Sequence, residues 1–181
     1  MSAAGSGAGS GTRATGPRSG RVIVASTRAA AGEAADSTGP VIVEWLRERG
    51  FEAPTPEVAA DGEPVARAVA AALSSAPDVL ITTGGTGVSP SDLTPEAVAP
   101  HLDVELPGII EELRRRGAQV IPSAVLTRGV AGFAGRTFVV TLPGSPGGVR
   151  DGLAILDPIL EHLLGQRSGT PSSGHGARPA L

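Results

Sequence analysis

The sequence predicts an α/β fold: a mostly parallel sheet between two layers of helices, a three-layer α/β/α sandwich. Three observations predict it. Strand and helix signals alternate along the chain. The strongest strand signals are apolar on both parities, as in strands covered on both faces. Two glycine-containing loops, "TTGGTG" (82–87) and "LPGSPGG" (142–148), follow directly after two of those strands. In open α/β sheets that is the edge where ligands bind.

The elements follow in order. "RVIVAS" (21–26) is a β-branched strand run. "GPVIVEWLRERG" (39–50) reads as a helix. Pro40 suits its first turn, Val41, Ile42, Trp45 and Leu46 share one face, and Gly50 is a stop signal. A weaker strand spans Glu52–Val58. "GEPVARAVAAALSSA" sets Val65, Val69, Ala72 and Leu73 at helical spacing. "DVLITT" (78–83) is a doubly covered strand. A short helix over Pro95–Ala99 and a longer one over Pro107–Arg116 come next. "AQVIPSAVLTRG" (118–129) reads equally as strand or helix, and "RTFVVTL" (136–142) is a buried strand. A last helix, 147–164, carries Val149, Leu153, Leu156, Leu160 and Leu163, with a kink expected at Pro158. Residues 1–20 and 167–181 are rich in Gly, Ser and Ala and read as flexible tails around one domain, 21–166.

Composition narrows the function. The chain has 181 residues, 40% of them hydrophobic but only 2% aromatic, so aliphatic side chains must fill the core. A net charge of −3 gives no electrostatic footprint for nucleic acid. Without cysteine there are no disulfides, thiolate metal sites or thiol catalysis. No apolar run approaches the roughly 18 residues of a membrane span. The N-terminus lacks the apolar segment of a secretory signal, so a cytoplasmic location is expected. All 15 basic residues are arginine. With no lysine, phosphate charge must be met by arginine, backbone amides or a metal ion.

The first glycine loop has neither the Gly-Lys-Ser/Thr of a phosphate-binding P-loop nor a dinucleotide GxGxxG register. It is either a tight turn or a nest of amides for phosphate, with Thr82, Thr83 and Thr86 adding hydroxyl donors. "SPSD" (89–92) matches a capping box from Ser89 to Asp92. Yet Pro95 would disrupt the second turn. Thr94, capping a helix from Pro95 with Glu96 near its positive end, is the better reading and frees Asp92. In "AADGEP" (59–64) Asp61 either caps the next helix or shares the ligand rim with Asp92. Two carboxylates beside a phosphate loop repel the anion unless a cation intervenes. Mg²⁺ held by one or two carboxylates and substrate phosphates resolves this. The metal is thus implied only together with a phosphate ligand.

Other residues read less sharply. One of Asp36, Ser37 and Thr38 should cap the helix that follows. Arg28, Arg128 and Arg150 each read as a phosphate ligand or a surface arginine. Glu105 and Glu111 read as solvated. His101 and His162 lack a second ligand at metal spacing, and His175 lies in the tail. Ser145 suits phosphate binding. As a nucleophile it fails, because the Gly-x-Ser-x-Gly elbow breaks at Pro143.

"DSTGP" (36–40), Asp61, "TTGGTG" (82–87), "SPSDLTPEA" (89–97), "ELPG" (105–108), "SAVLTR" (123–128) and "LPGSP" (142–146) occur in that order. Together the set resembles the MogA/MoaB family of molybdenum cofactor biosynthesis proteins, over most of 21–164. The resemblance implies an α/β/α sandwich assembled as a homotrimer. It implies adenylylation of molybdopterin by ATP with Mg²⁺, release of pyrophosphate and transfer of the product to a molybdate-inserting enzyme. Asp61 and Asp92 match the family's catalytic, metal-binding aspartates. Thr83, Gly84, Gly85, Thr86, Gly87, Ser89, Pro143, Gly144 and Ser145 match the substrate- and nucleotide-binding loops. Two further readings stay open: a non-catalytic molybdopterin-binding or carrier protein, and a nucleotide pyrophosphatase related to the competence-damage protein domain.

Overall fold

The computed structural model describes residues 16–169. Residues 1–15 and 170–181, including most of both expected tails and His175, lie outside the described residues. Seven strands make one sheet: β1 (Arg18–Ala25), β2 (Phe51–Glu52), β3 (Glu57–Ala59), β4 (Val79–Thr83), β5 (Val104–Glu105), β6 (Ala131–Ala134) and β7 (Thr137–Leu142). The helices are α1 (Thr27–Ala30), α2 (Gly39–Glu48), α3 (Glu63–Ser74), α4 (Thr94–Val98), α5 (Pro107–Ala118), α6 (Pro146–Leu156) and α7 (Leu160–Ser168).

The sheet order is β2-β1-β4-β7-β6-β5, with β3 also paired to β1. β2, β1, β3, β4 and β7 are parallel; β6 runs antiparallel to β7, and the edge strand β5 runs antiparallel to β6. Parity along the central strands sorts the core. Val79 and Ile81, with Phe138, Val140 and Leu142, pack against residues of α2, α5 and α6. Leu80 and Val139 face the other way, onto Val65 and Val69 of α3 and Val98 of α4. One sheet thus buries two aliphatic layers, which is why its strands read as apolar on both parities.

Several elements differ from expectation. The strand expected at 21 begins at Arg18, and the last helix runs to Ser168, past the expected end of the domain at 166. There Arg167 bonds the Gly135 carbonyl (2.7 Å) and the Asp103 carboxylate (3.0 Å). The expected strand 52–58 is two short pieces, because Pro54 and Pro56 cannot donate to the ladder. The segment 118–129 holds neither of its expected elements. It carries a 3₁₀ turn over Pro122–Leu126. Pro158 ends the C-terminal helix outright, splitting it into α6 and α7. The β6–β7 hairpin had no strong sequence signal, since "AGFA" is poor in β-formers.

Candidate active site

β1, β3, β4 and β7 all end on the same edge, and both glycine loops lie there. The Gly84 amide donates to the Leu142 carbonyl (3.1 Å), and the Thr83 hydroxyl donates to the Pro143 carbonyl (2.8 Å). Gly84 has φ +90° and Gly85 φ +60°, both left-handed values that suit glycine. A Cβ at Gly84 would strike the Ala25 carbonyl, and one at Gly144 would lie 3.0 Å from the Gly84 Cα. The two loops therefore touch, backbone against backbone.

Both expected carboxylates face the first loop. A Cβ at Gly85 would sit 3.0 Å from Asp61 Oδ1, and one at Gly87 would sit 2.8 Å from Asp92 Oδ2. Each aspartate has one oxygen held by the protein. Asp61 Oδ2 accepts the Thr27 amide (3.0 Å) and the Thr27 hydroxyl (2.8 Å). Asp92 Oδ2 accepts the Ser89 amide (3.0 Å), and the Asp92 amide donates back to the Ser89 carbonyl (2.9 Å). Ser26 fixes Thr27 by capping α1, its hydroxyl accepting the Ala29 amide (3.2 Å).

Some expected roles change. Asp61 does not cap α3, whose cap position is Gly62 without a side-chain bond. No helix follows the Ser89–Asp92 turn directly. α4 starts at Thr94 itself with Leu93 at the cap position, so Thr94 is not the cap. Thr82 and Thr83 are fully buried, and Thr82 Oγ1 has no hydrogen-bond partner. Neither hydroxyl is available as a phosphate donor, because Thr82 points into the helical layer and Thr83 is spent on Pro143. Thr86 is 5% exposed and its hydroxyl accepts from Thr127 (3.1 Å). Of the first-loop amides, that of Gly84 is taken by Leu142, and those of Gly85, Thr86 and Gly87 make no backbone hydrogen bond among the described residues. Ser145 caps α6 through the Gly148 amide (3.1 Å). Thr38 holds the cap position of α2 without a side-chain cap bond, and Asp36 Oδ1, just upstream, accepts the Thr38 and Gly39 amides (2.9 Å each).

Beside the loops lies a cavity of about 660 Å³, lined by Thr86, Gly87, Pro143, Ser145, Gly148 and Arg150 and by apolar side chains of the 113–126 stretch. Ligand pockets commonly have about 300–1,000 Å³. Its rim includes Val88, Val120, Ile121 and Leu126, all exposed. A smaller hollow of about 280 Å³ at the opposite sheet edge, beside Arg18 and Arg167, is bordered by side chains tied into ion pairs.

Among the three candidate arginines, Arg150 lines the cavity and Arg28 is exposed on α1. Arg128 is tied to the first loop and to Glu96, whose carboxyl it holds below the usual glutamate range by hydrogen bonding. Thr27 was not singled out in the sequence. Its only local signal is the Ser26 cap after a strand.

The chain is thus an α/β/α sandwich with a candidate ligand site where two glycine loops meet at the carboxyl edge of a mostly parallel sheet, two aspartates standing against one of them. The chain belongs to the family described as "probable molybdopterin binding domain", whose model matches residues 21–162. A molybdopterin adenylyltransferase of Pyrococcus furiosus is 37% identical over 148 residues, covering 79% of this chain and 87% of that protein. A molybdenum cofactor biosynthesis bifunctional protein of Synechococcus elongatus is 39% identical over 145 residues, 79% of this chain. This chain spans only 45% of that relative's length. Among solved structures, the molybdopterin biosynthesis Mog protein of Mycobacterium ulcerans is 50% identical, with a TM-score of 0.79 over 83% of this chain and 99% of that one. The expected fold and family are thereby borne out.

Proposed function

We propose that the protein transfers the adenylyl group of ATP to molybdopterin. One observation carries the reading. Asp61 and Asp92 stand against Gly85 and Gly87 of a single loop, each with one oxygen held and no hydrogen bond to the other oxygen among the described residues. The names of the relatives support the same reaction.

The chemistry asks little of side chains. A phosphate monoester has a second pKa of about 6 and is largely dianionic at neutral pH. Its oxygen attacks the α-phosphorus of ATP. The new O–P bond forms, the bond to the β-phosphate bridge breaks, and pyrophosphate leaves with the electron pair. No lysine, cysteine or histidine is needed. The protein must position two anions and limit their repulsion. The amides of Gly85–Gly87 and the Pro143–Ser145 loop bind phosphate in this reading, and the cavity takes the pterin. Its apolar wall suits a flat ring system.

Among the described residues, no three His, Cys, Asp or Glu side chains gather as a metal site. The pair Asp61 and Asp92 fits Mg²⁺, which commonly takes one or two carboxylates plus substrate phosphates. When bound there it would neutralise phosphate charge. A homotrimer in the cytoplasm, passing its product to a molybdate-inserting enzyme, completes the reading. The exposed side chains Val120, Ile121, Val125 and Leu126 offer neighbouring copies an apolar surface to cover.

The test is a mixture of protein, molybdopterin, ATP and Mg²⁺, with adenylylated pterin and pyrophosphate quantified. Pterin-dependent product is expected, and Asp61→Asn and Asp92→Asn should abolish it while remaining folded. Tight pterin binding with no product would instead indicate a carrier.

A further inference from the structure

We propose that Arg128 is a positioning residue: it straps the loop that carries Asp92 and fixes the aspartate without touching substrate. The inference rests on the reading of Asp92 given above. The Arg128 backbone amide donates to the Thr86 carbonyl (2.8 Å), and its Nε donates to the Gly87 carbonyl (2.7 Å). Nη2 donates to the Asp92 carbonyl, and Nη1 pairs with the Glu96 carboxylate. One side chain thus spans both ends of the 87–92 loop and the first turn of α4.

The loop needs such a tie. It has no helix or strand of its own between Thr83 and Thr94. Its Val88 is 68% exposed, so packing holds it weakly. Gly87 and Asp92 are the residues whose backbone the guanidinium grips. Gly87 is also the residue against which the Asp92 carboxylate rests, 2.8 Å from its Cβ position. Holding those two carbonyls sets the carboxylate relative to the glycine loop.

The charge of Arg128 is already matched by Glu96. Its nitrogens point at three protein acceptors, so its task is geometric. A guanidinium presents donors in a fixed fork, whereas a lysine ammonium is a single point on a flexible stem. Lysine preserves the charge and cannot take the three acceptors together.

The experiment compares wild type, Arg128→Lys and Arg128→Ala by hydrogen exchange of residues 86–92 and by steady-state adenylyl transfer. Both variants are expected to exchange faster at the Ser89 and Asp92 amides, which donate within the loop. They should lose kcat by roughly 10–100-fold, the scale of a misplacement near 1 Å, with KM for molybdopterin changed by less than about 2-fold. Wild-type kcat and protection in Arg128→Lys would overturn the proposal, because charge alone would then suffice. A raised KM with unchanged kcat would also overturn it, by making Arg128 a substrate ligand. If Arg128→Ala does not fold, Arg128→Lys decides alone. If the wild type transfers no adenylyl group, the assigned reaction fails, and exchange still decides the strap. Faster exchange confined to 86–92 supports it, and unchanged exchange overturns it.

Discussion

Thr27 grips one oxygen of Asp61 from two sides, with its amide at 3.0 Å and its hydroxyl at 2.8 Å, while the other oxygen faces Gly85. The hydroxyl also accepts the Asp61 amide (3.2 Å). Residues 34 apart in sequence meet because β1 and β3 pair in parallel and end together. Thr27→Val keeps the shape and the amide bond but removes the hydroxyl. We expect a stability loss of about 1 kcal/mol, the usual net value of a hydrogen bond. Adenylyl transfer should fall well below wild type, and Thr27→Ser should restore it. Thermal melts and initial rates check this, and a Val variant as active as wild type would remove Thr27 from the site.

Gly85 and Gly135 allow a controlled comparison. Both have left-handed backbones, with φ of +60° and +59°. A Cβ at Gly85 would collide with Thr94 Oγ1 and press on Asp61, whereas one at Gly135 meets nothing within 4 Å. Gly135→Ala should cost roughly 1–2 kcal/mol from backbone strain alone and keep full activity. Gly85→Ala should cost more and abolish adenylyl transfer. Equal losses of activity in the two variants would show that global stability, not the loop, governs the rate.

The Thr83 hydroxyl ties the first glycine loop to the second through the Pro143 carbonyl. Thr83→Val is nearly isosteric but leaves that carbonyl without its donor. The expected cost is about 1–3 kcal/mol, because Thr83 is fully buried. KM for molybdopterin should rise as the second loop loosens. Unchanged KM in a folded variant would mean that the Gly84–Leu142 hydrogen bond and the Gly84–Gly144 contact suffice to hold the loops.

Glu96 supplies a pH signature. Arg128 lowers its carboxyl below the ordinary 4.5, so its ionised form favours the folded state. The contribution is complete above about pH 4.5 and is lost as pH falls through the lowered value. Glu96→Gln cannot titrate. The stability gap between wild type and Glu96→Gln should be constant near neutrality and shrink in acid. The pair is 37% and 50% exposed, so the gap should be small and should shrink in salt. Denaturation midpoints against pH at two ionic strengths test this, and a gap that persists unchanged in acid would exclude the ion pair as its source. Glu112, lowered to about 2 by Arg115 and Arg116, titrates alike in both proteins and cancels.

Much was legible from local chemistry. Doubly apolar runs such as "VLITT" and "TFVVTL" identify central strands, because a strand covered on both faces has no polar parity. Helical spacing located α2 and α3, and the glycine loops marked the ligand edge. Segments without such patterns were not legible. "AGFA" forms a strand because β7 offers a partner across a tight hairpin, not because of its own propensity.

By itself, the sequence determined the α/β class, the two glycine loops and the pair Asp61 and Asp92, because periodicity and residue type are local properties. Tertiary structure decided what each side chain does there. It turned Thr83 from a ligand donor into a loop tie, placed Thr27 on Asp61 and committed Arg128 to two loop carbonyls and the Glu96 carboxylate. Those partners lie 32 to 60 residues apart, and hydrogen bonds form only where the fold brings donor and acceptor within about 3 Å.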